Sequence, residues 1–178
     1  MITSNIVNDA MSQIESDSSK TLGLKIGSQN IELGQYIKAT EAQSIPELSF
    51  PVTRASKTYL VISLDLDAPF PSVSFLSPIL HWIQPGLKIS QDETGSTTLK
   101  GDAPFVANYI GPSPPPGSGP HRYTFFLYEQ PEDFNAKKYA PPQGREMGVY
   151  GRVRFDFDTW AKEVGLGELV AGNYFWSN

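Results

Sequence analysis

Proline and glycine, fifteen of each in 178 residues, interrupt this chain so often that long helices have little room in it. Proline inside a helix removes a donor and clashes with the preceding turn, and neither residue suits the middle of a strand. Together they make up about 17% of the chain, above the roughly 12% of an average protein and below the disordered range. What such punctuation allows is short strands joined by many ordered turns. The aromatic content of 12% fits, because Tyr, Phe and Trp pack well on pleated, half-buried surfaces.

The length suits one core, so a single domain over residues 1–178 is the expectation. An apolar fraction of 39% is that of an ordinary globular chain. Fourteen basic against nineteen acidic residues leave a net charge of -5, which supplies no footprint for nucleic acid. With no cysteine, disulfide frameworks, thiolate metal sites and cysteine nucleophiles are excluded. The first ten residues lack the basic and apolar regions of a signal peptide, and no apolar run is long enough to span a bilayer. A cytoplasmic protein without a transmembrane segment is expected.

Residues 5–15 carry Ile6, Val7, Met11 and Ile14 at the spacing of a short amphipathic helix. Residues 22–26 and 30–33 alternate apolar and polar positions around a Gly27-Ser-Gln-Asn30 turn, the pattern of a hairpin. Residues 58–64 are continuously β-branched, aromatic or aliphatic, which fits a central strand buried on both faces. A strand is expected over 79–84, stopped by Pro85 and Gly86, with a polar, mobile stretch over 86–104 and an exposed turn at 91–96. Residues 121–129 read plainly as a strand, preceded by a proline loop that cannot supply ladder donors. Residues 153–157 read as another strand, followed by a helix with Asp158 as its N-cap and Gly165 at its end. The order is that of an antiparallel, β-rich domain with helices at its edges.

Few residues here suit chemistry. Asp65 and Asp67 are two apart, so on extended backbone they share a side, where like charges raise at least one carboxyl pKa unless a cation or hydrogen-bond donor intervenes. A pair of turn-capping aspartates is an equal alternative. A cis bond before Pro69 is expected at the reversal that follows them. His121 and Tyr123 share one face of their strand, and Arg122 points the other way, toward a carboxylate such as Asp67 or Glu129. The glycine-proline loop before His121 can aim backbone N–H groups at an anion. A structural His-Arg-Tyr cluster is the plainer reading. The sequence contains no nucleophile elbow, Walker loop, dinucleotide fingerprint or His-Glu-x-x-His. His81, His121 and an aspartate form a formal but unsupported metal set.

Two motifs resemble the phosphatidylethanolamine-binding, or Raf-kinase-inhibitor-like, family. One is Asp65-Leu-Asp-Ala-Pro69 followed by His81-Trp82. The other is Gly111-Pro-Ser-Pro-Pro-Pro-Gly-Ser-Gly-Pro-His-Arg-Tyr123. With a weaker similarity over 165–175, the resemblance covers about residues 20–176 and leaves 1–19 as an N-terminal extension or short helix. It is most similar to members from filamentous fungi. It implies a mainly β domain with a Greek-key antiparallel sheet core, small flanking helices and an anion pocket at one end of the sheet. That pocket would contain Asp65, Pro69, His81, Gly111, Pro114, Pro115, His121 and Tyr123, and would take phosphate, acetate or a phospholipid head group without metal or other cofactor. Departures are Leu66 between the aspartates, Leu169 before Val-Ala-Gly, and an apolar stretch over 70–80 that suggests a rim for a less polar ligand.

Three functions follow from the resemblance. The first is a binding or regulatory protein for a small anionic or amphipathic ligand. The second is a fungal secondary-metabolism isomerase or cyclase acting on a carboxylate or anhydride, with Asp65 or His121 as base and Tyr123 as acid. The third is a serine carboxypeptidase inhibitor. Protein partners of the protease or kinase kind, and peripheral membrane contact, are compatible with the family, whereas nucleic acid is not expected.

Overall fold

The computed structural model describes residues 4–51, 57–91 and 97–178. Among these residues nine strands form one sheet in the order β2-β1-β4-β7-β6-β5-β8-β9-β3. The strands are β1 (Gly23–Ile26), β2 (Gln29–Ile31), β3 (Gln35–Tyr36), β4 (Glu47–Ser49), β5 (Tyr59–Asp65), β6 (Ile79–Gln91), β7 (Thr97–Lys100), β8 (His121–Glu129) and β9 (Leu169–Ser177). The helices are α1 (Asn5–Ser16), α2 (Ala136–Tyr139) and α3 (Phe157–Val164). Only β3 and β9 pair in parallel; every other pairing is antiparallel. The chain is thus β-rich with small flanking helices, as its punctuation and motifs imply.

β5 lies between β6 and β8 and is buried along its whole length, which explains its unbroken apolar run. One of its faces carries Tyr59 and Val61, which join Phe125, Leu127 and Phe175 and meet Leu24, Ile31, Leu48 and Leu99 from the far part of the sheet. The other carries Leu60, Ile62 and Leu64, covered by Val7, Met11 and Ile14 of α1 and by Phe157 and Ala161 of α3. Each aliphatic side chain so buried contributes about 1.5–3 kcal/mol. α1 has Ser4 as its N-cap, and the Asp158 carboxylate ties it to α3 by accepting from Ser4 Oγ (2.5 Å) and Asn5 N (3.1 Å).

The structure departs from the sequence reading at three places. β6 does not stop at Pro85-Gly86. Its register jumps from Val61↔Gln84 to Tyr59↔Leu87, so the two residues form a bulge opposite Leu60. Gly86, at φ 76, donates its N–H to Gln130 Oε1 at 2.7 Å. β6 and β7 therefore occupy most of the stretch expected to be polar and mobile, while the expected turn at 91–96 lies outside the described residues except for Gln91. Residues 153–157 are not a strand. Arg154 has φ 54, and α3 begins with Asp156 as its cap, accepting from Thr159 N at 3.0 Å. β9 was not anticipated, because Gly172 interrupts its pattern. Gly172 is required there, since a Cβ would come within 2.9 Å of Ile14 Cγ2 and 3.1 Å of the Phe125 carbonyl.

Among the described residues no helix is long and apolar enough to cross a membrane. The Ala68–Pro69 peptide bond is cis, as expected, and so is Ser77–Pro78.

Candidate functional site

The end of β5 and the starts of β6 and β8 bring four polar side chains to one place. Asp65 is opposite Tyr123, and His121 is opposite Ser177 of β9. Period two puts His121 and Tyr123 on the same face. His81 reaches that face through a second bulge: the register steps from Ser63↔Trp82 to Leu64↔Leu80, and His81 is the extra residue. The His81 ring meets Tyr123 edge-on at 5.0 Å, while His121 stacks beside Tyr123 at 6.4 Å. Phe175 stacks against Tyr123 at 5.7 Å. All four residues are shielded, with His121 0%, Tyr123 2%, Asp65 3% and His81 5% exposed.

The His121 imidazole is locked by its Nδ1, which donates to Asp65 Oδ2 at 2.9 Å. A carboxylate only accepts, so this contact fixes the Nδ1–H form of the ring. Asp65 Oδ1 accepts the Asp67 N–H at 2.8 Å. His121 Nε2 is buried and has no hydrogen-bond partner among the described residues; the Ser177 hydroxyl shares that condition. Burial pulls the His121 pKa down, but the Asp65 hydrogen bond and the charges of Asp65 and Asp67 outweigh it and leave the ring above its usual range. The Pro69 carbonyl adds a weaker pull in the same direction without closing a hydrogen bond on Nε2.

His81 differs. Its Nδ1 donates to the Ile110 carbonyl at 2.8 Å, and burial keeps the ring below the usual imidazole range and hence neutral. Burial first, and then the Asp65 charge, hold the Tyr123 phenol protonated. The site so combines one imidazole inclined to carry a proton, one neutral imidazole and one neutral phenol.

The two aspartates do not share a side. The strand ends at Asp65, and Asp67 instead takes the Arg122 backbone N–H (2.8 Å) and its guanidinium in a fork, Nε to Oδ2 at 2.8 Å and Nη2 to Oδ1 at 2.6 Å. Arg122 points to the opposite face of β8 from His121, so each aspartate serves one face. Each aspartate thus has the donor foreseen for it, the His121 imidazole at Asp65 and the Arg122 guanidinium at Asp67.

The remaining residues named from the motifs are spread around this cluster. Gly111 is half-buried, and a Cβ there would come within 2.6 Å of Gln43 Oε1 and 2.9 Å of the Ala42 carbonyl, so close packing against residues 42–43 accounts for the glycine. Pro69 and Pro114 are half-buried and Pro115 is exposed. Phe70, Val73 and Phe75 are exposed, but Leu80 points into the core beneath α1 and α3, so the apolar rim does not extend to it. A cleft of about 360 Å³ lies on the other face of β8, lined by Val7, Met11, Leu66, Pro78 and Arg122, and none of the four site residues reaches it. Among the described residues no group of three or more His, Asp and Glu side chains is placed to hold a metal ion. Sequence reasoning missed Ser177, whose place opposite His121 appears only once β9 is known.

A family model described as phosphatidylethanolamine-binding protein matches residues 27–175. The chain is 32% identical over 162 residues to a protein of Talaromyces stipitatus named Phomoidride biosynthesis cluster protein N, covering 82% of this chain and 77% of that one. It is 32% identical over 147 residues to the Carboxypeptidase Y inhibitor of Saccharomyces cerevisiae, covering 76% of this chain and 66% of that one. Among solved structures, a carboxypeptidase Y inhibitor complexed with its cognate proteinase superposes with a TM-score of 0.73 at 26% identity, over 97% of this chain and 91% of that one. A phosphatidylethanolamine-binding protein from Plasmodium vivax shares the fold, with a TM-score of 0.63 at 18% identity over 88% and 84% of the two chains.

Proposed function

Because the chain belongs to the phosphatidylethanolamine-binding protein family, we propose that it binds a small oxyanion, free or as part of a larger amphipathic molecule, at His121 Nε2. The observation that carries this reading is the pairing of a locked Nδ1 with a buried, unpartnered Nε2. An unsatisfied buried donor costs about 1–3 kcal/mol, and a ligand oxygen removes that cost. Asp65 inclines the ring toward its charged form, so the contact is a charge-assisted one, shorter and stronger than a neutral bond. Ser177 supplies a second hydroxyl on the same face. Pro69, His81, Gly111, Pro114, Pro115 and Tyr123 form the surroundings in this reading, and no metal takes part. Calorimetry with acetate and with inorganic phosphate tests it: the wild-type chain binds at least one of them, and His121→Ala weakens that binding.

A second reading is favoured by the similarity to a protein of a fungal biosynthesis cluster. In it the same pocket moves a proton on a carboxylate or anhydride, with Tyr123 as the acid and Asp65 or His121 as the base. The charge state of the ring argues against His121 as base, since a protonated imidazole has no free lone pair. Turnover of a co-clustered metabolite, abolished by Tyr123→Phe, separates this reading from simple binding.

A third reading, inhibition of a serine carboxypeptidase, is supported by the likeness to the yeast inhibitor. Titration of that protease with the purified chain tests it.

A further inference from the structure

The cleft on the far face of β8 has no part in the oxyanion reading. Its volume of about 360 Å³ falls within the range of small-molecule sites, and its walls come from elements far apart in sequence. One wall is α1, and the other is the connection from β5 to β6, which contributes Leu66, Ser74 and Pro78. Arg122 of β8 completes the lining. α1 brings two stripes to it. Val7 and Met11, four apart, are apolar and buried, whereas Asn8, Ser12 and Glu15 follow at helical spacing and are exposed. The cleft therefore joins an apolar depth to a polar rim on which Glu15 carries the charge.

Arg122 is held on two sides and open on a third. Its Nε and Nη2 fork onto Asp67 at 2.8 and 2.6 Å, and its guanidinium carbon lies 5.6 Å from the centre of the Trp176 ring. An edge pinned by a carboxylate and a face laid on an indole fix the orientation of a planar group. Nη1 has no hydrogen-bond partner among the described residues, so a pre-oriented donor is left on the residue that lines the cleft. The charges nearby decide what that donor can meet. Asp67 already balances Arg122, and Glu15 adds a second carboxylate at the rim. One cation against two carboxylates disfavours a further anion, while an uncharged oxygen accepts from Nη1 without that repulsion.

We infer that this cleft is a second ligand site, across β8 from His121, and that it takes an uncharged amphipathic molecule. A carbonyl oxygen of that molecule, as in an amide, ester or lactone, accepts from Arg122 Nη1. Its apolar body lies against Val7, Met11, Leu66 and Pro78. An ammonium group has no lone pair to accept from Nη1, and a carboxylate meets Glu15 and Asp67, so both charged classes are disfavoured. The inference is independent of whether an oxyanion binds at His121.

The test is an NMR titration of the wild-type chain with three probes that share one tail: hexanamide, hexanoate and hexylammonium. Excess acetate is present throughout, so that any anion site at His121 is already filled. Hexanamide is expected to shift the Val7 and Met11 methyl resonances and the Arg122 guanidinium resonances saturably, and to bind about threefold or more tightly than either charged probe, the scale of an exposed charge interaction. Glu15→Gln, at an exposed position, is expected to narrow the gap between hexanamide and hexanoate. Ser74→Trp, which fills the cleft from the wall facing α1, is expected to abolish the hexanamide shifts. Should that variant fail to fold, Asn8→Trp on the exposed side of α1 closes the cleft in its place. Absence of saturable shifts at Val7, Met11 and Arg122 overturns the site, as does hexanamide binding that survives the cleft-filling variant or is displaced by more acetate. Binding of hexanoate or hexylammonium as tight as that of hexanamide overturns the assignment of an uncharged ligand.

Discussion

His121 Nδ1 donates to Asp65 Oδ2 at 2.9 Å across a sequence separation of 56 residues, with both groups buried. Neither end of this contact is local: it depends on β5 and β8 pairing in a register that sets Asp65 opposite Tyr123. The bond orients the ring, raises its affinity for a proton and leaves Nε2 as the free end.

Asp65→Asn keeps the shape of the carboxylate and removes its charge. The expected outcome is a fall in the His121 pKa in an NMR titration, and a loss of roughly 1.5–3 kcal/mol in anion affinity at neutral pH, the worth of a charged hydrogen bond. An unchanged pKa contradicts the role assigned to Asp65.

The two imidazoles act on stability in opposite pH windows. The folded His121 pKa is raised, so its contribution is full below about 6.5, the unfolded value, and fades as pH rises through the folded value. The folded His81 pKa is lowered, so the unfolded chain binds the extra proton and stability falls as pH drops below about 6.5. Denaturant unfolding measured across pH is expected to give a maximum near that value. His121→Gln flattens the upper arm and His81→Gln the lower one.

The fork between Arg122 and Asp67 is a control. The Asp67 side chain is 5% exposed and that of Arg122 35%, so solvent screens the pair in part. Asp67→Ala is expected to cost roughly 1–3 kcal/mol of folding stability, less than a fully buried pair. Because the fork lies on the opposite face of β8 from Nε2, anion affinity in calorimetry should change far less than stability.

Gly172→Ala tests the packing of α1 over β9. The added methyl would meet Ile14 and the Phe125 carbonyl inside ordinary contact distance. Overpacking of this kind costs typically about 1–3 kcal/mol, read as a lower midpoint in chemical denaturation.

The sequence shows the elements whose signal is local and strong. β5 and β8 appear as apolar runs, α1 as a face formed by Val7, Met11 and Ile14, and the His121–Tyr123 face follows from a spacing of two. The meeting of Asp65, His81, His121 and Tyr123 was expected from the family motifs. Features that depend on distant partners were hidden. Pro85 and Gly86 look like a strand end, yet a bulge and the Gln130 side chain carry β6 past them. β9 is obscured by Gly172, which the close approach of α1 requires, and with it Ser177 was lost. Arg152 bonds to carbonyls from three separate segments, and no sequence spacing announces that. Its neighbour Arg154, at φ 54, breaks the alternation that made 153–157 look like a strand.

The central claim is that an oxyanion meets His121 Nε2. Its most direct measurement is a nitrogen-detected NMR titration of the histidine side chains with acetate or dimethyl phosphate near pH 7. The account predicts that the His121 Nε2 resonance shifts saturably and that the His121 pKa rises when the site is full, while the His81 Nδ1 hydrogen bond is retained. A saturating anion that leaves His121 Nε2 unmoved, and is bound equally well by His121→Ala, contradicts it.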